Sequence, residues 1–210
     1  MTFATGTSSE EITRSLAIKR NNALTALAAG SALAVFAARA FGFGQPRAAA
    51  AVYGFLAGLL YANLFEYVLH RYLLHWGHGF LVGRHALHHD SAGTPQEARY
   101  VNFATSPWVV VLLFASNALP VFAVEWLLHM GLAPGMLAAF TLYYILYEEI
   151  HWRMHLGGWL PAWLQAARHH HMLHHGGFEG RYNVFLPLCD WIFQRREWKG
   201  GPSGPATTRH

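Results

Sequence analysis

Four long stretches of the chain consist almost entirely of apolar residues. They lie at residues 23–43, 48–69, 107–128 and 132–150. A helix needs about 20 residues to cross about 30 Å of hydrocarbon, because each residue adds about 1.5 Å. Each stretch therefore has the length of a membrane-crossing helix. Buried helices of a soluble all-α protein are the alternative, but four such runs leave almost no amphipathic outer face.

Glycine and proline divide the four stretches into two pairs. Gly42, Gly44 and Pro46 separate the first two stretches, and Gly131 with Pro134 separates the last two. Short connections of this kind predict helical hairpins. The predicted fold class is an all-α integral membrane protein with four transmembrane helices in two hairpins.

The third stretch carries polar and helix-breaking residues that a membrane span seldom contains. They are Asn117, Pro120 and Glu125. For this reason residues 107–128 are expected to be the least typical of the four spans.

Polarity also divides the chain into three parts. Residues 1–22 are a polar segment, residues 23–199 a single membrane-embedded domain, and residues 200–210, rich in Gly, Pro, Ser and Thr, a flexible tail. The first apolar stretch is too long for the core of a signal peptide, so an uncleaved first helix is expected.

Composition is typical of a membrane protein and excludes two classes of function. The chain is 53% hydrophobic and 12% charged, a balance that few water-soluble chains of 210 residues show. Its net charge of +4 is small and scattered, which argues against a nucleic-acid partner. The single cysteine, Cys189, excludes an intramolecular disulfide framework and a metal site built from cysteines.

The distribution of basic residues predicts the orientation in the membrane. Only Arg39 and Arg47 lie at the tip of the first hairpin and none lies at the tip of the second, so the other 13 of the 15 Lys and Arg lie on the opposite side. Cytoplasmic loops carry the excess of Lys and Arg, so this side is predicted to be cytoplasmic. The Ala and Gly content favours a bacterial inner membrane.

Histidine is unusually frequent and clustered. The chain has 15 histidines, of which 13 fall at residues 70–89 and 151–175. Imidazole is a common ligand of Fe, Zn, Cu and Ni, and phased histidines on one side of the membrane predict a metal-binding helical cap. Ten form the motifs HX4H, HX2HH, HX3H and HX2HH and are the predicted ligands: His70, His75, His85, His88, His89, His151, His155, His171, His174 and His175.

Three of the motifs have the spacing of a single helix face. Residues at i, i+3 and i+4 lie on one side of an α-helix. His85, His88 and His89 have this spacing, as do the three histidines of the last motif, so each trio is expected to reach a common point. His151 and His155 share a face at i, i+4.

His70 and His75 have a different spacing. They are five residues apart, about 140° around an α-helix, and are expected to point at different ions or to straddle the end of the helix. Two ions account for this better than one. Ten imidazoles shared by two ions give about five each, so an octahedral ion keeps one position open, as catalytic sites do and structural sites do not.

Five histidines lie outside this pattern: His78, His129, His169, His170 and His210. The first is expected in a surface loop, the second at the tip of the second hairpin and the last in the tail, so none of these three is a predicted ligand. The other two precede the last motif. Either could replace His171 through a shift of register, although only His171 fits HX2HH.

The motifs and their order resemble the fatty acid hydroxylase and sterol desaturase superfamily of integral membrane di-metal oxygenases. The resemblance covers residues 55–194 and is closest to the fatty acid 2-hydroxylase branch. Glu66–Arg71 reads Glu-Tyr-x-x-His-Arg, like the first box of that branch, and Tyr144–Glu148 is similar to the Tyr-x-x-Tyr-(Asp/Glu) stretch before its HX3H box. The Trp-Asp pair that follows the last box in that branch is reversed here as Asp190-Trp191.

The resemblance implies a non-haem di-iron oxidoreductase that hydroxylates a lipid fatty-acyl chain with dioxygen and external electrons. The implied cofactors are two Fe ions held by the ten histidines. Zinc binds nitrogen sites more tightly than Fe²⁺ and can occupy them on purification. The chain contains no His-Pro-Gly-Gly motif of a cytochrome b5 domain. A separate electron donor is therefore expected, either cytochrome b5-like or a ferredoxin with its reductase.

Two alternatives stay open. The short stretch between His75 and His85 also resembles beta-carotene hydroxylases, so a carotenoid or sterol hydroxylase or desaturase of the same superfamily is one alternative. A zinc-binding structural protein or a metal-handling membrane protein is the alternative from another class.

Other residues are assigned to supporting roles. The acidic residues nearest the motifs are expected to accept hydrogen bonds from ring N–H groups: Glu66, Asp90, Glu148, Glu149 and Asp190. Aromatic residues are expected to line the substrate path or to anchor helices at the interface: Tyr67, Tyr143, Tyr144, Tyr147, Phe178 and Tyr182. Basic residues of the last segment are expected to meet lipid headgroups or the electron donor: Arg181, Arg195, Arg196 and Lys199.

Overall fold

The computed structural model describes residues 6–41, 48–177 and 180–193, and the regular secondary structure of these residues is helical. The elements are α1 (Ser9–Ala40), α2 (Ala48–Val68), a π-helical segment (Leu69–His75), α3 (Phe80–Ser91), α4 (Glu97–Tyr100), α5 (Pro107–Leu128), α6 (Ala133–Leu156), α7 (Ala162–His175) and α8 (Leu188–Phe193). Several sequence predictions fall outside the described residues: those for Gly42, Gly44, Pro46, Arg47, Phe178, Arg195, Arg196, Lys199, His210 and the tail 200–210.

Three helices among the described residues are long and apolar enough to cross a membrane. They are Ser9–Ala40, Ala48–His75 and Pro107–Leu128. The fourth predicted span also forms a helix, α6, but its tyrosines and glutamates between residues 143 and 149 keep it below the same hydropathy. The structure therefore supports an all-helical membrane protein with three long apolar helices, and the fourth span stays a prediction.

The third stretch is the most apolar of the three, so the expectation that it is the least typical was wrong. Its mean hydropathy is 1.9, against 1.6 for each of the other two. Asn117 and Glu125 are almost fully buried. Asn117 accepts the Tyr61 hydroxyl and donates to the Leu113 carbonyl, both at 3.0 Å. Polar side chains that are satisfied inside the protein do not reduce the apolarity of the surface that faces lipid.

Glu125 holds the first turn of α6. Its carboxylate accepts the backbone N–H groups of Gly131, Leu132 and Ala133 at 2.6, 2.7 and 2.9 Å. N–H groups at the start of a helix have no partner within the helix, and a negative charge there is favoured by the helix dipole. The short connection predicted from Gly131 and Pro134 is thus present and is fixed by a buried carboxylate.

α1 begins at Ser9, well before the apolar stretch that starts at residue 23. Buried hydrogen bonds hold its polar N-terminal part. The Asn102 side chain donates to the Ser15 hydroxyl at 2.9 Å, and the Asn22 side chain donates to the Ala104 carbonyl at 2.9 Å. Residues 9–22 are therefore helical although they are polar, which hydropathy alone does not reveal.

The chain forms two compact units. The first consists of Met1–Ser9, Asn63–Val101 and Ile150–His210, and the second of Glu10–Ala62 and Asn102–Glu149. A core cluster in the second unit joins α1, α5 and α6 through Ala37, Ala118, Val121, Ala133 and Leu137.

Within the second unit, α2 and α6 approach each other through glycine. A Cβ atom at Gly58 would stand 2.6 Å from the Cα of Met136, and one at Gly135 would stand 2.2 Å from the carbonyl oxygen of Ala51. Small residues at helix interfaces let two backbones touch inside a membrane. The two helices are therefore in backbone contact.

Gly58→Ala is expected to destabilise the protein by about 1–3 kcal/mol, the usual cost of overpacking a tight contact. The thermal midpoint in detergent measures this loss. Gly83→Ala on α3 is the matched control, because among the described residues no heavy atom lies within 4 Å of the added Cβ. There the same change should stabilise by about 0.5–1 kcal/mol. Equal midpoints for the two variants would contradict the backbone contact.

Candidate metal centre

The ten histidines of the four motifs lie in the first unit, and their ring nitrogens converge in two groups. Group A consists of His70, His75, His85, His89 and His174, and group B of His88, His151, His155, His171 and His175. Within each group, one ring nitrogen from every residue lies within 4.8 Å of the others. The groups adjoin, because the rings of His89 and His175 stack with centroids 4.2 Å apart.

His70 and His75 point into the same group, contrary to the expectation from their spacing. The segment Leu69–His75 is π-helical, and hydrogen bonds in a π-helix join residues five apart. Residues five apart therefore lie almost one above the other, and the two ring centroids are 5.1 Å apart. The expectation that the two residues point at different ions was wrong because it assumed α-helical geometry.

Each HX2HH motif supplies both groups instead of one. On α3, His85 and His89 belong to group A, whereas His88 belongs to group B. On α7 the i, i+4 pair belongs to group B and the intervening His174 to group A. Consecutive residues on an α-helix point about 100° apart, so neighbouring histidines diverge. The expectation of a common point for each trio was therefore wrong.

Hydrogen bonds at Nδ1 determine which ring nitrogens are available to an ion. In group A, His70 Nδ1 is 2.5 Å from the carbonyl oxygen of Tyr182, and His174 Nδ1 is 3.0 Å from that of Gly180. A carbonyl oxygen only accepts, so both Nδ1 atoms carry the proton and both Nε2 atoms present a lone pair. These two Nε2 atoms are 3.1 Å apart. Neither ring can donate to the other, so this close pair of lone pairs is a favourable place for a cation.

The spacings between ring nitrogens fit a shared ion. Neighbouring Nε2 atoms within the groups stand 2.9–3.2 Å apart. Two ligands at a right angle, each about 2.1 Å from an ion, are about 3.0 Å apart, whereas tetrahedral ligands are about 3.4 Å apart. Five neutral imidazoles per group therefore fit two divalent ions with more than four ligands each.

His88 gives independent support in group B. It is buried, and among the described residues neither of its ring nitrogens has a hydrogen-bond partner. A buried polar group without a partner costs about 1–3 kcal/mol. The ring centroids of His151, His155 and His175 lie 4.6–4.8 Å away. Metal binding within group B would satisfy the His88 ring.

Burial keeps the rings neutral near pH 7. Burial, reinforced by neighbouring imidazoles, lowers the pKa of His89 to about 4 and holds the pKa of His88 well below its usual range. Burial, with the nearby Arg168 guanidinium, lowers the pKa of His155 to about 3. Neutral imidazole is the form that binds metals, so the rings need not lose a proton first.

A carboxylate that the sequence analysis missed orients one ring of group B. Glu97 is 2% exposed and accepts the Nδ1–H of His155 at 2.7 Å. Burial raises the pKa of Glu97. Such partners fix the tautomer and orientation of a ligand and raise its basicity. Glu97 lies 58 residues from His155 in the sequence, and no spacing rule connects it to a histidine motif.

Two of the predicted carboxylates, Glu66 and Asp190, hold the segment that follows α7. Glu66 accepts the backbone N–H of Val184 and the side-chain amide of Asn183 at 2.9 and 3.0 Å. Asp190 accepts the backbone N–H groups of Tyr182 and Asn183 at 2.9 and 3.0 Å. This segment supplies the carbonyl groups that hold two rings of group A, so both carboxylates support these rings indirectly.

The other three predicted carboxylates differ from the expectation. Glu148 and Glu149 make hydrogen bonds within the second unit, with Asn22 at 3.1 Å and with Lys19 at 2.5 Å. Asp90 is exposed on α3. The expectation rested on nearness along the chain, which does not determine the direction of a side chain on a helix.

The histidines outside the motifs lie largely where the sequence analysis placed them. His78 and His169 are exposed. His129 follows the last residue of α5 with a φ of 50°, at the tip of the second hairpin. His170 lies 3.2 Å from Asp190, and His171 is the residue that joins group B.

Among the predicted aromatic residues, Tyr182 lies against group A. Its ring centroid is 5.5–5.6 Å from those of His70, His75 and His174. Tyr67 packs edge-on against Tyr182 at 5.8 Å. The tyrosines of α6 belong to the second unit. A role for any of them in lining the substrate path stays a prediction.

Glu97→Gln is expected to weaken binding of one metal ion about 10–100-fold, because loss of an outer partner of a ligating histidine has this effect. Chelator competition against protein loaded with Co²⁺ measures the affinity of each equivalent. Asp90→Asn is the control, since this carboxylate is exposed, and it should leave both affinities unchanged. A normal affinity for both ions in Glu97→Gln would show that the His155 contact is not needed.

Fold and site together define an integral membrane protein with two adjoining five-histidine groups able to bind metal ions. The chain belongs to the fatty acid hydroxylase family, whose model, described as "Fatty acid hydroxylase", matches residues 55–195. This match confirms the family that the histidine motifs indicated.

Individual relatives agree with this family. The chain is 25% identical over 146 residues to the fatty acid 2-hydroxylases of Rattus norvegicus and Mus musculus, covering 66% of this chain and 38% of each relative. It therefore spans less than half the length of these curated relatives. Its fold is similar to a solved structure of full-length scs7p in which only the hydroxylase domain is visible. The TM-score is 0.59 at 24% identity, over 80% of this chain and 62% of that chain.

Proposed function

We propose that the protein is a membrane di-iron oxygenase that hydroxylates the fatty-acyl chain of a lipid. The observation that supports this proposal is in group A. The Nε2 atoms of His70 and His174 lie 3.1 Å apart, and neither carries a proton because both Nδ1–H groups donate to backbone carbonyls. Such an arrangement favours binding of a cation. Two adjoining groups of this kind in a fatty acid hydroxylase family member favour a two-iron centre.

The chain's own residues prepare the site for that chemistry. When bound, the irons supply the redox chemistry by which one atom of dioxygen enters a C–H bond and the other leaves as water. The five imidazoles of each group would hold one iron. Burial shields most of the rings from water, and the Nδ1 partners of His70, His155 and His174 keep the Nε2 atoms of these three rings directed into their groups.

The membrane context supports a lipid substrate and a donor on the cytoplasmic side. Three apolar helices place the chain in the bilayer, and we infer that α6 completes a four-helix arrangement of two hairpins. The excess of Lys and Arg on the histidine-bearing side favours a cytoplasmic site. Two electrons per turnover then come from a separate donor, cytochrome b5-like or a ferredoxin with its reductase.

Lipid analysis tests the proposal directly. The chain is produced in a bacterial host with iron and a reducing system under ¹⁸O₂, and extracted lipids are compared by mass spectrometry with those of the host alone. The expected result is a hydroxylated fatty-acyl species that carries one ¹⁸O atom. The same experiment in a host that makes carotenoids or sterols tests the alternative substrates. If these molecules carry ¹⁸O and the acyl chains do not, the substrate is a carotenoid or sterol and not a fatty-acyl chain. Two bound ions without any lipid change would favour a structural or metal-handling protein.

A further inference from the structure

Asp190 lies at the centre of a buried hydrogen-bond network beside group A. It is fully buried on α8. Its Oδ1 accepts the Tyr182 N–H at 2.9 Å, and its Oδ2 accepts the Asn183 N–H at 3.0 Å. The same Oδ2 lies 3.2 Å from His170 Nε2. Two backbone N–H groups and one imidazole therefore surround this buried carboxylate.

One peptide group joins this network to group A. The peptide between Tyr182 and Asn183 donates its N–H to Asp190 and presents its carbonyl oxygen 2.5 Å from His70 Nδ1. The two ends of a peptide group are conjugated, so negative charge at the N–H increases the electron density on the oxygen. Hydrogen bonds in such a chain strengthen one another by about 10–30% each.

Group B contains the direct form of the same contact. There the Glu97 carboxylate accepts the Nδ1–H of His155 at 2.7 Å with nothing between them. Each group therefore has one buried carboxylate behind one of its rings. In group B the carboxylate contacts the ring, and in group A a single peptide group stands between them.

We infer that Asp190 is a positioning residue for group A, acting through the Tyr182–Asn183 peptide to hold His70 and raise the basicity of its Nε2. The inference rests on the proposed metal centre. His170 belongs to neither group and orients the carboxylate from its other side. Loss of the Asp190 charge should therefore weaken binding of the ion in group A and leave binding of the ion in group B unchanged.

Chelator competition on the full chain in detergent, loaded with Co²⁺, tests this inference. Wild type is expected to release two equivalents. Asp190→Asn should weaken one equivalent about 10–100-fold and leave the other as in wild type. Glu97→Gln should do the same, and the double variant should weaken both equivalents. This additivity assigns the two carboxylates to different ions, which a general loss of stability would not produce.

The remaining outcomes also decide the inference. If wild type binds two ions and Asp190→Asn leaves both affinities unchanged, the positioning role of Asp190 is overturned. The metal centre and the proposed function would still stand. If wild type binds no ion, both fail together. Should Asp190→Asn not fold, His170→Leu removes the side chain that orients the carboxylate, so the bond between Asp190 and the Asn183 N–H is held less well and the same single equivalent should bind more weakly. Unchanged Co²⁺ absorption and unchanged affinity in His170→Leu would then overturn the positioning role of Asp190.

Discussion

Replacing His88 by alanine is expected to abolish formation of hydroxylated lipid and to remove one of two bound metal ions. His88 is buried, and neither of its ring nitrogens has another partner among the described residues. Loss of a ligand should cost more affinity than the about 10–100-fold expected for loss of an outer partner. Metal content by elemental analysis and product by lipid mass spectrometry should fall together.

His78→Ala is the matched control for this variant. His78 is the same residue type in the same region of the chain, but it is exposed and belongs to neither group. It should retain both ions and full product formation. Retention of two ions and of product by His88→Ala would show that group B is not a ligand set.

Glu125→Ala is expected to cost about 3 kcal/mol of stability, since hydrogen bonds to a charged group are worth about 1.5–3 kcal/mol and three N–H groups lose their acceptor. These groups belong to Gly131 and Leu132, just before α6, and to Ala133, its first residue. Water can reach some of them after the change, so the loss should be smaller than the sum of three bonds. Thermal unfolding in detergent measures it.

Ser116→Ala on the same helix is the comparison, because its side chain is exposed and donates within α5 to the Leu113 carbonyl at 2.9 Å. A surface change of this kind should stay within about 0.5 kcal/mol. Metal content per folded molecule should be normal in both variants. An unchanged midpoint for Glu125→Ala would mean that the α5–α6 connection is held by other contacts.

The set of converging histidines could be predicted from the sequence because its signal is local. Motifs such as HX3H place two rings on one helix face whatever the rest of the chain does. The apolar stretches predicted the long helices for the same reason, since length and hydropathy are read within a window of about 20 residues.

The partition of the rings could not be predicted, because it depends on backbone geometry and on distant contacts. The π-helical geometry of Leu69–His75 turns His70 and His75 to the same side, and no residue type in this segment predicts a π-helix. Glu97 reaches His155 across 58 residues of sequence. The role of Glu125 could not be predicted from its own apolar stretch, because its three backbone partners lie in the connection to α6 and at the first residue of α6.

The sharing of α3 and α7 between the two groups has a consequence for how the centre is assembled. Each of these helices carries rings for both ions, so each helix would be held at two points when both ions are bound. The five rings that hold each ion remain separate, so the two ions can still be measured as separate equivalents. Removal of either helix would take rings from both groups, so neither helix can be lost while one complete ion site is kept.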